Sequence, residues 1–173
     1  IPERILNQDS FYQAFFGNEI GIPKIHNDNK RTNSLDLGLV CRKELYQNRI
    51  SFLKQIQNYL TSKNIKANNI YTRQYKEDKN SLIIKLSINL NFDNLMNFYR
   101  NINLHYSNHK QEKLITTLNS LKELKLQRFK KLSNTLNKLT RKNYSETWIK
   151  HNLRLTDKSL NFILNQESLE KWN

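Results

Sequence analysis

Residues 34–43, SLDLGLVCRK, decide how the rest of the chain is read. Leu35, Leu37, Leu39 and Cys41 fall on one side of an alternation, and Asp36, Gly38, Val40 and Arg42 on the other. Successive strand side chains point to opposite faces, so this is a strand with one dry face and one wet face. Such a strand needs neighbours in a sheet and helices over its apolar side.

The flanking segments supply both. Upstream, SFYQAFFGNE (10–19) reads as a short apolar helix that Ser10 can cap, with Gly17 where another backbone can approach closely. Ile20 to His26 is apolar and β-branched, and Pro23 restricts it to an edge or bulged strand. Residues 26–33 form a polar turn. Downstream, Ile50, Leu53, Ile56 and Leu60 recur at helical spacing within a helix over Gln47–Ser62. IYTRQYKE (70–77) and SLIIKLSIN (81–89) are strands joined by a charged tight loop. Asn91 then caps a helix, FDNLMNFYRNI, with Leu95, Met96 and Tyr99 inward. A break at LHYSNHK precedes a long helix over Gln111–Leu139, densely basic from Lys122 to Lys142.

The order is α-β-β-α-β-β-α. It predicts an α+β module over 1–142, with a four-stranded, mostly antiparallel sheet and helices on one face. The open face then carries Lys24, His26, Arg42, Arg73, Lys85, Ser87 and Asn89. Residues 143–173 read as a basic helical tail. Its tight link at Leu153–Leu155 fits a helix-turn-helix, and equally a helical clip packed on the domain.

Charge bounds the partners. Lys and Arg number 29 against 15 acids, a net charge of +14 on 20.8 kDa, so a polyanion is the expected partner. Asn is unusually common, at 26 residues, and Asn and Lys codons are AT-rich. That suggests an AT-rich genome, an organelle's (mitochondrion or plastid) or a virus's. No run of about eighteen apolar residues is present to span a membrane. The single cysteine, Cys41, lies on the apolar strand face and excludes an internal disulfide framework. The three glycines fit no phosphate loop. His105 and His109 are one helical turn apart but lack the Glu of a zinc-protease helix, so solvated or phosphate-contacting roles are favoured. Glu19 ends an apolar, small-residue helix. Two such helices packed around Ala14 and Gly17 would bring two carboxylates together, and paired carboxylates beside a phosphate backbone suit a divalent metal.

FYQAFFGNEIG (11–21) resembles the signature helix of the LAGLIDADG homing endonucleases, with Phe11, Ala14, Phe15, Phe16, Gly17 and Glu19 in register. IPERIL resembles the lead-in before that helix, and FYRNINLHYSNHK resembles the late I-x-F-x-Y-x-x-x-K stretch of the module. The element order matches the family's αββαββα over roughly residues 1–125. Departures are Ile20 where the family usually has Gly, and Gln13 where it has a small residue. One signature helix is present, so the second would come from a twin chain or a partner half.

The resemblance implies a site-specific double-stranded DNA endonuclease. Glu19 would deliver one acid to a shared Mg²⁺ site, and Lys110, with Lys85 as second choice, would support the transition state. The open sheet face would lie along the major groove, Arg and Lys reading guanines and Asn and Gln adenines, with phosphate contacts supplying most of the affinity. Ile20 after the acid and the basic tail also fit a cleavage-inactive member that binds RNA, as an intron maturase or an organelle ribosome component. A helix-turn-helix regulator built around the tail is the third reading.

Overall fold

The computed structural model describes residues 5, 8–23 and 35–164. The chain divides into two compact units, Ile1–Asn119 and Ser120–Asn173. The second begins earlier than the tail read from sequence at 143, and the break falls inside one long helix.

The first unit runs α1 (Asp9–Glu19), β1 (Leu35–Arg42), a 3-10 turn (Lys43–Leu45), α2 (Tyr46–Ser62), β2 (Tyr71–Gln74), β3 (Ser81–Ile88), α3 (Phe92–Asn101) and the start of α4 (Asn108–Arg141). Among the described residues the sheet has three antiparallel strands in the order β1-β3-β2. The strand expected over 20–26 lies partly outside the described residues. Its described part is not a strand, although Gly21 N–H donates to Asp36 O at 2.9 Å, tethering it beside β1.

The register follows the alternation. Leu35 pairs with Ile88, Leu37 with Leu86 and Leu39 with Ile84, and this face is covered. Leu35, Leu37, Ile84 and Leu86 are fully buried, Cys41 is buried, and Leu39 is half-buried. A slip of one residue would expose this whole set, which is why the pattern pins the register. Leu53, Ile56 and Leu60 of α2 are buried as expected, together with Tyr59. From α1, Phe16 meets Phe98 of α3 edge to face, with ring centroids 5.6 Å apart. In α3 the inward set is Leu95 and Phe98, while Met96 and Tyr99 are half-buried, so the buried stripe is rotated by about one residue from the expectation.

Polar side chains fasten the connections. Asn91 caps α3, accepting from Asn94 N–H at 2.8 Å. Buried Asn94 accepts from Lys66 N–H and donates to the carbonyls of Lys66 and Asn89, at 2.6, 2.9 and 2.7 Å. It thereby joins the segment after α2 to the end of β3. In the β2–β3 turn, Asp78 accepts from Asn80 N–H and Ser81 Oγ, and these bonds hold its carboxyl below its usual range.

In the second unit, α5 (Glu146–Leu153) and α6 (Asp157–Leu164) follow α4. Leu136, Ile149, Leu160 and Ile163 form a buried cluster, with Phe129, Leu132, Leu139, Leu153 and Leu155 packed against it. Ser145 caps α5 and Thr156 caps α6. Arg154 ends α5 in the left-handed region, at φ 52. The three-residue link Arg154–Thr156 has helix-turn-helix length.

Candidate nucleic-acid interface

The sheet's second face is largely open among the described residues, buried Ser81 apart. Asp36, Gly38, Val40 and Arg42 of β1, Tyr71 and Arg73 of β2, and Ser81, Ile83, Lys85 and Ser87 of β3 share it by register. Arg42 and Arg73 are exposed, as expected, and so is Asn89 just beyond β3. Lys85 and Ser87 are half-buried because both bind Asp36. Ser87 Oγ donates to its carboxylate at 2.7 Å, and Lys85 Nζ lies 3.4 Å from Oδ2. The face is therefore less basic around β1 than the charge count suggests. Lys24 and His26 lie outside the described residues.

The face also carries apolar groups: Val40, on this side of the alternation, is 55% exposed and Tyr71 58%. Tyr71 sits opposite Lys85, which sits opposite Gly38, so an aromatic, a cation and a gap form one row. The alternation alone finds both residues, since it puts Val40 with Arg42 and Tyr71 with Arg73.

Glu19 is exposed at the last residue of α1. Lys110, at the start of α4, donates to the carbonyls of Asn18 and Ile20 at 2.7 and 2.8 Å. A helix C-terminus leaves carbonyls without partners and favours a cation, so this ammonium closes the end of α1. Partial burial pulls the Lys110 pKa down, and the charge of Glu19 works against that fall. The two residues assigned to chemistry thus meet at one helix end. Lys110, however, is engaged with the carbonyls that flank Glu19 in sequence.

A Mg²⁺ ion wants several oxygen ligands, commonly one or two carboxylates with phosphates and waters. Here one carboxylate stands beside an ammonium, and the adjacent carbonyls are taken. No group of three His, Cys, Asp or Glu able to hold a metal occurs among the described residues. The residues present do not by themselves fit the ion.

Gly17 is buried, and a Cβ there would lie 3.3 Å from Cβ of Tyr106. The close approach that glycine permits is made by the chain's own segment before α4. Ala14 is half-buried, beside half-buried Phe11 and Phe15, which stack at 5.9 Å. No helix among the described residues is long and apolar enough to cross a membrane.

No protein-family model, no curated protein and no solved structure matches the chain.

Proposed function

We propose that the chain is a LAGLIDADG-type homing endonuclease module that grips double-stranded DNA on the open face of its sheet. The observation that carries this reading is the largely open face bearing exposed Arg42 and Arg73 with Lys85, on a chain of net charge +14. Guanidinium groups on such a face are suited to guanine edges, and surface lysines to phosphates. Glu19 supplies the acid. Glu19 stands alone beside the Lys110 ammonium, so cleavage requires a second acid from a twin chain or a partner half, together with phosphate oxygens. Lys110 is a positioning residue, holding the backbone on either side of Glu19.

The test is duplex binding and plasmid cleavage with Mg²⁺. Arg42→Ala with Arg73→Ala should weaken duplex binding by about tenfold or more. Glu19→Gln should abolish cutting and leave binding intact. Unchanged binding by the double variant overturns the sheet-face assignment, and normal cutting by Glu19→Gln overturns the role of the acid.

A second reading is favoured by one contact. Tyr106 occupies the approach to Gly17 that helix pairing would use. A chain that does not pair would not cut, and would act as a cleavage-inactive, RNA-binding family member. No cutting under any pairing condition, with RNA bound more tightly than duplex DNA, would select it.

A further inference from the structure

The second unit holds two large aromatics outside its core. Tyr144 and Trp148 stack where α4 gives way to α5, with ring centroids 4.3 Å apart and planes 23° from parallel. Tyr144 is 43% and Trp148 41% exposed, whereas the neighbouring Ile149 is buried in the cluster. Burial of aromatic surface is a main source of stability for a small unit. Here that surface is left in water.

The charge around the pair has a direction. Along α4, Phe129, Leu132, Leu136 and Leu139 recur at three- and four-residue spacing and face the core. Lys130, Lys131, Lys138 and Arg141 fall on the opposite side of that helix, and Lys142 follows its last residue. All five are exposed, and none is in an ion pair among the described residues. From Lys130 to Arg141 this stripe is about 16 Å long. In sequence it leads into the aromatics, since only Asn143, turned into the left-handed region at φ 58, separates Lys142 from Tyr144. Over residues 120–173 there are twelve Lys and Arg against five acids.

A row of unpaired cations selects a polyanion. A stacked, half-exposed aromatic pair at its end selects a ligand with flat apolar faces. Unpaired bases on a phosphate backbone offer both, whereas a duplex hides its base faces in its own stack. Acidic peptides and lipid headgroups have the charge without the faces. We propose that the second unit binds single-stranded nucleic acid, with phosphates along the basic side of α4 and an unpaired base on the Tyr144–Trp148 pair. This surface uses none of the sheet residues and does not depend on the endonuclease reading.

The experiment uses the full chain carrying Trp172→Phe, which leaves Trp148 as the single tryptophan. Oligo-dT and oligo-U should quench its fluorescence on saturation, and a duplex of equal length should not. Trp148→Leu should weaken single-strand binding by about tenfold or more, with little change for duplex, while Trp148→Phe retains most of the affinity. Neutralising Lys138, Arg141 and Lys142 to Gln should flatten the salt dependence for single strands by roughly 2 in slope. Comparing oligo-dT with oligo-U tells DNA from RNA, and preference for either supports the proposal. Absence of quenching, or equal losses for single strand and duplex in Trp148→Leu, overturns it. So does quenching by duplex alone, which would make the link between α5 and α6 a duplex reader.

Discussion

In the first unit, fully buried aromatic and aliphatic side chains from α1, α2, α3, β1 and β3 meet beneath a three-stranded sheet. In the second, the described residues give a buried cluster of four aliphatic residues on three helices. The charge runs the other way. Residues 1–119 carry seventeen Lys and Arg against ten acids, and the much shorter stretch 120–173 carries twelve against five. Apolar burial is what holds a fold against chain entropy, and like charges oppose compaction. The first unit therefore resists unfolding through its core. The second has less core among its described residues to offset a denser positive charge, and gains most from a polyanion or from salt.

The largest expected effect tests the first half of that contrast. Phe98→Ala removes a fully buried ring packed edge to face on Phe16, and should cost about 3–5 kcal/mol in chemical unfolding. A loss below about 1 kcal/mol would mean that the site collapses freely and that the aromatic core is not what holds the unit. The second half is tested by Leu136→Ala, which should cost roughly 2–4 kcal/mol. Amide exchange should locate that loss in α5 and α6 and leave β1 and β3 protected. Equal loss of protection in the strands would show that the two units unfold as one.

How much of this was legible in the sequence depends on the range of the interactions. The buried face of β1 was readable because Leu35, Leu37 and Leu39 alternate strictly with polar or small residues, and a one-residue slip would expose all three. Helix α3 was placed within a residue, because Asn91 and Asn94 make a local cap, yet Phe98 was missed. Its neighbours Met96 and Tyr99 fit a similar helical stripe, and only packing against Phe16 chooses between the two. Strand β2 was read as 70–77 and spans 71–74. The Gln74 side chain there donates to carbonyls of the Asp78–Ser81 turn and pulls it in early. At the candidate site, exposed Arg42 and Arg73 followed from alternation. The capping of α1 by Lys110 and the closure of Gly17 by Tyr106 join residues about ninety positions apart, and no local pattern encodes such contacts. Asp36 was legible in part. Its register partner is Ser87, but its pull on Lys85 depends on side-chain reach.

A smaller effect, of opposite sign, sharpens the contrast at the second unit. Four described residues other than glycine have positive φ, and three of them are Asn, which tolerates that region. The fourth, Arg154, ends α5 at φ 52 and ψ 45, where glycine is the residue without a steric penalty. Arg154→Gly should raise the stability of the second unit by about 0.5–1 kcal/mol, relieving strain and one positive charge together. Arg154→Asn should recover part of that gain. If neither variant is stabilised, the left-handed turn is held by something other than local preference.

The smallest effect lies at the start of α1, where the first unit uses charge rather than burial. Asp9 accepts from Lys63 Nζ and from the Tyr59 hydroxyl, each at 3.0 Å, and the ring of Tyr59 stacks on Tyr12. The Lys63 hydrogen bond holds the Asp9 carboxyl below the usual carboxylate range against the opposing cost of burial, and the Tyr59 hydrogen bond adds to the lowering. Burial, and then Asp9 itself, push the Tyr59 phenol well above its ordinary value, so the phenol stays a donor throughout the neutral range. A carboxyl whose folded pKa is lowered stabilises the fold above its unfolded pKa, near 4, and loses that contribution as pH falls through the folded value. Half of the Asp9 side chain is exposed, so solvent screening limits the pair to a few tenths of a kcal/mol. Lys63→Met should therefore destabilise the first unit by that amount at pH 7, and the difference from the parent chain should fade once the pH is well below 4. NMR titration of Asp9 should show its pKa rising towards the ordinary value in the variant. A deficit that persists unchanged in acid would assign the effect to the packing of the Lys63 stem on Tyr59, over whose ring the ammonium sits at 5.5 Å, and not to the charge of Asp9.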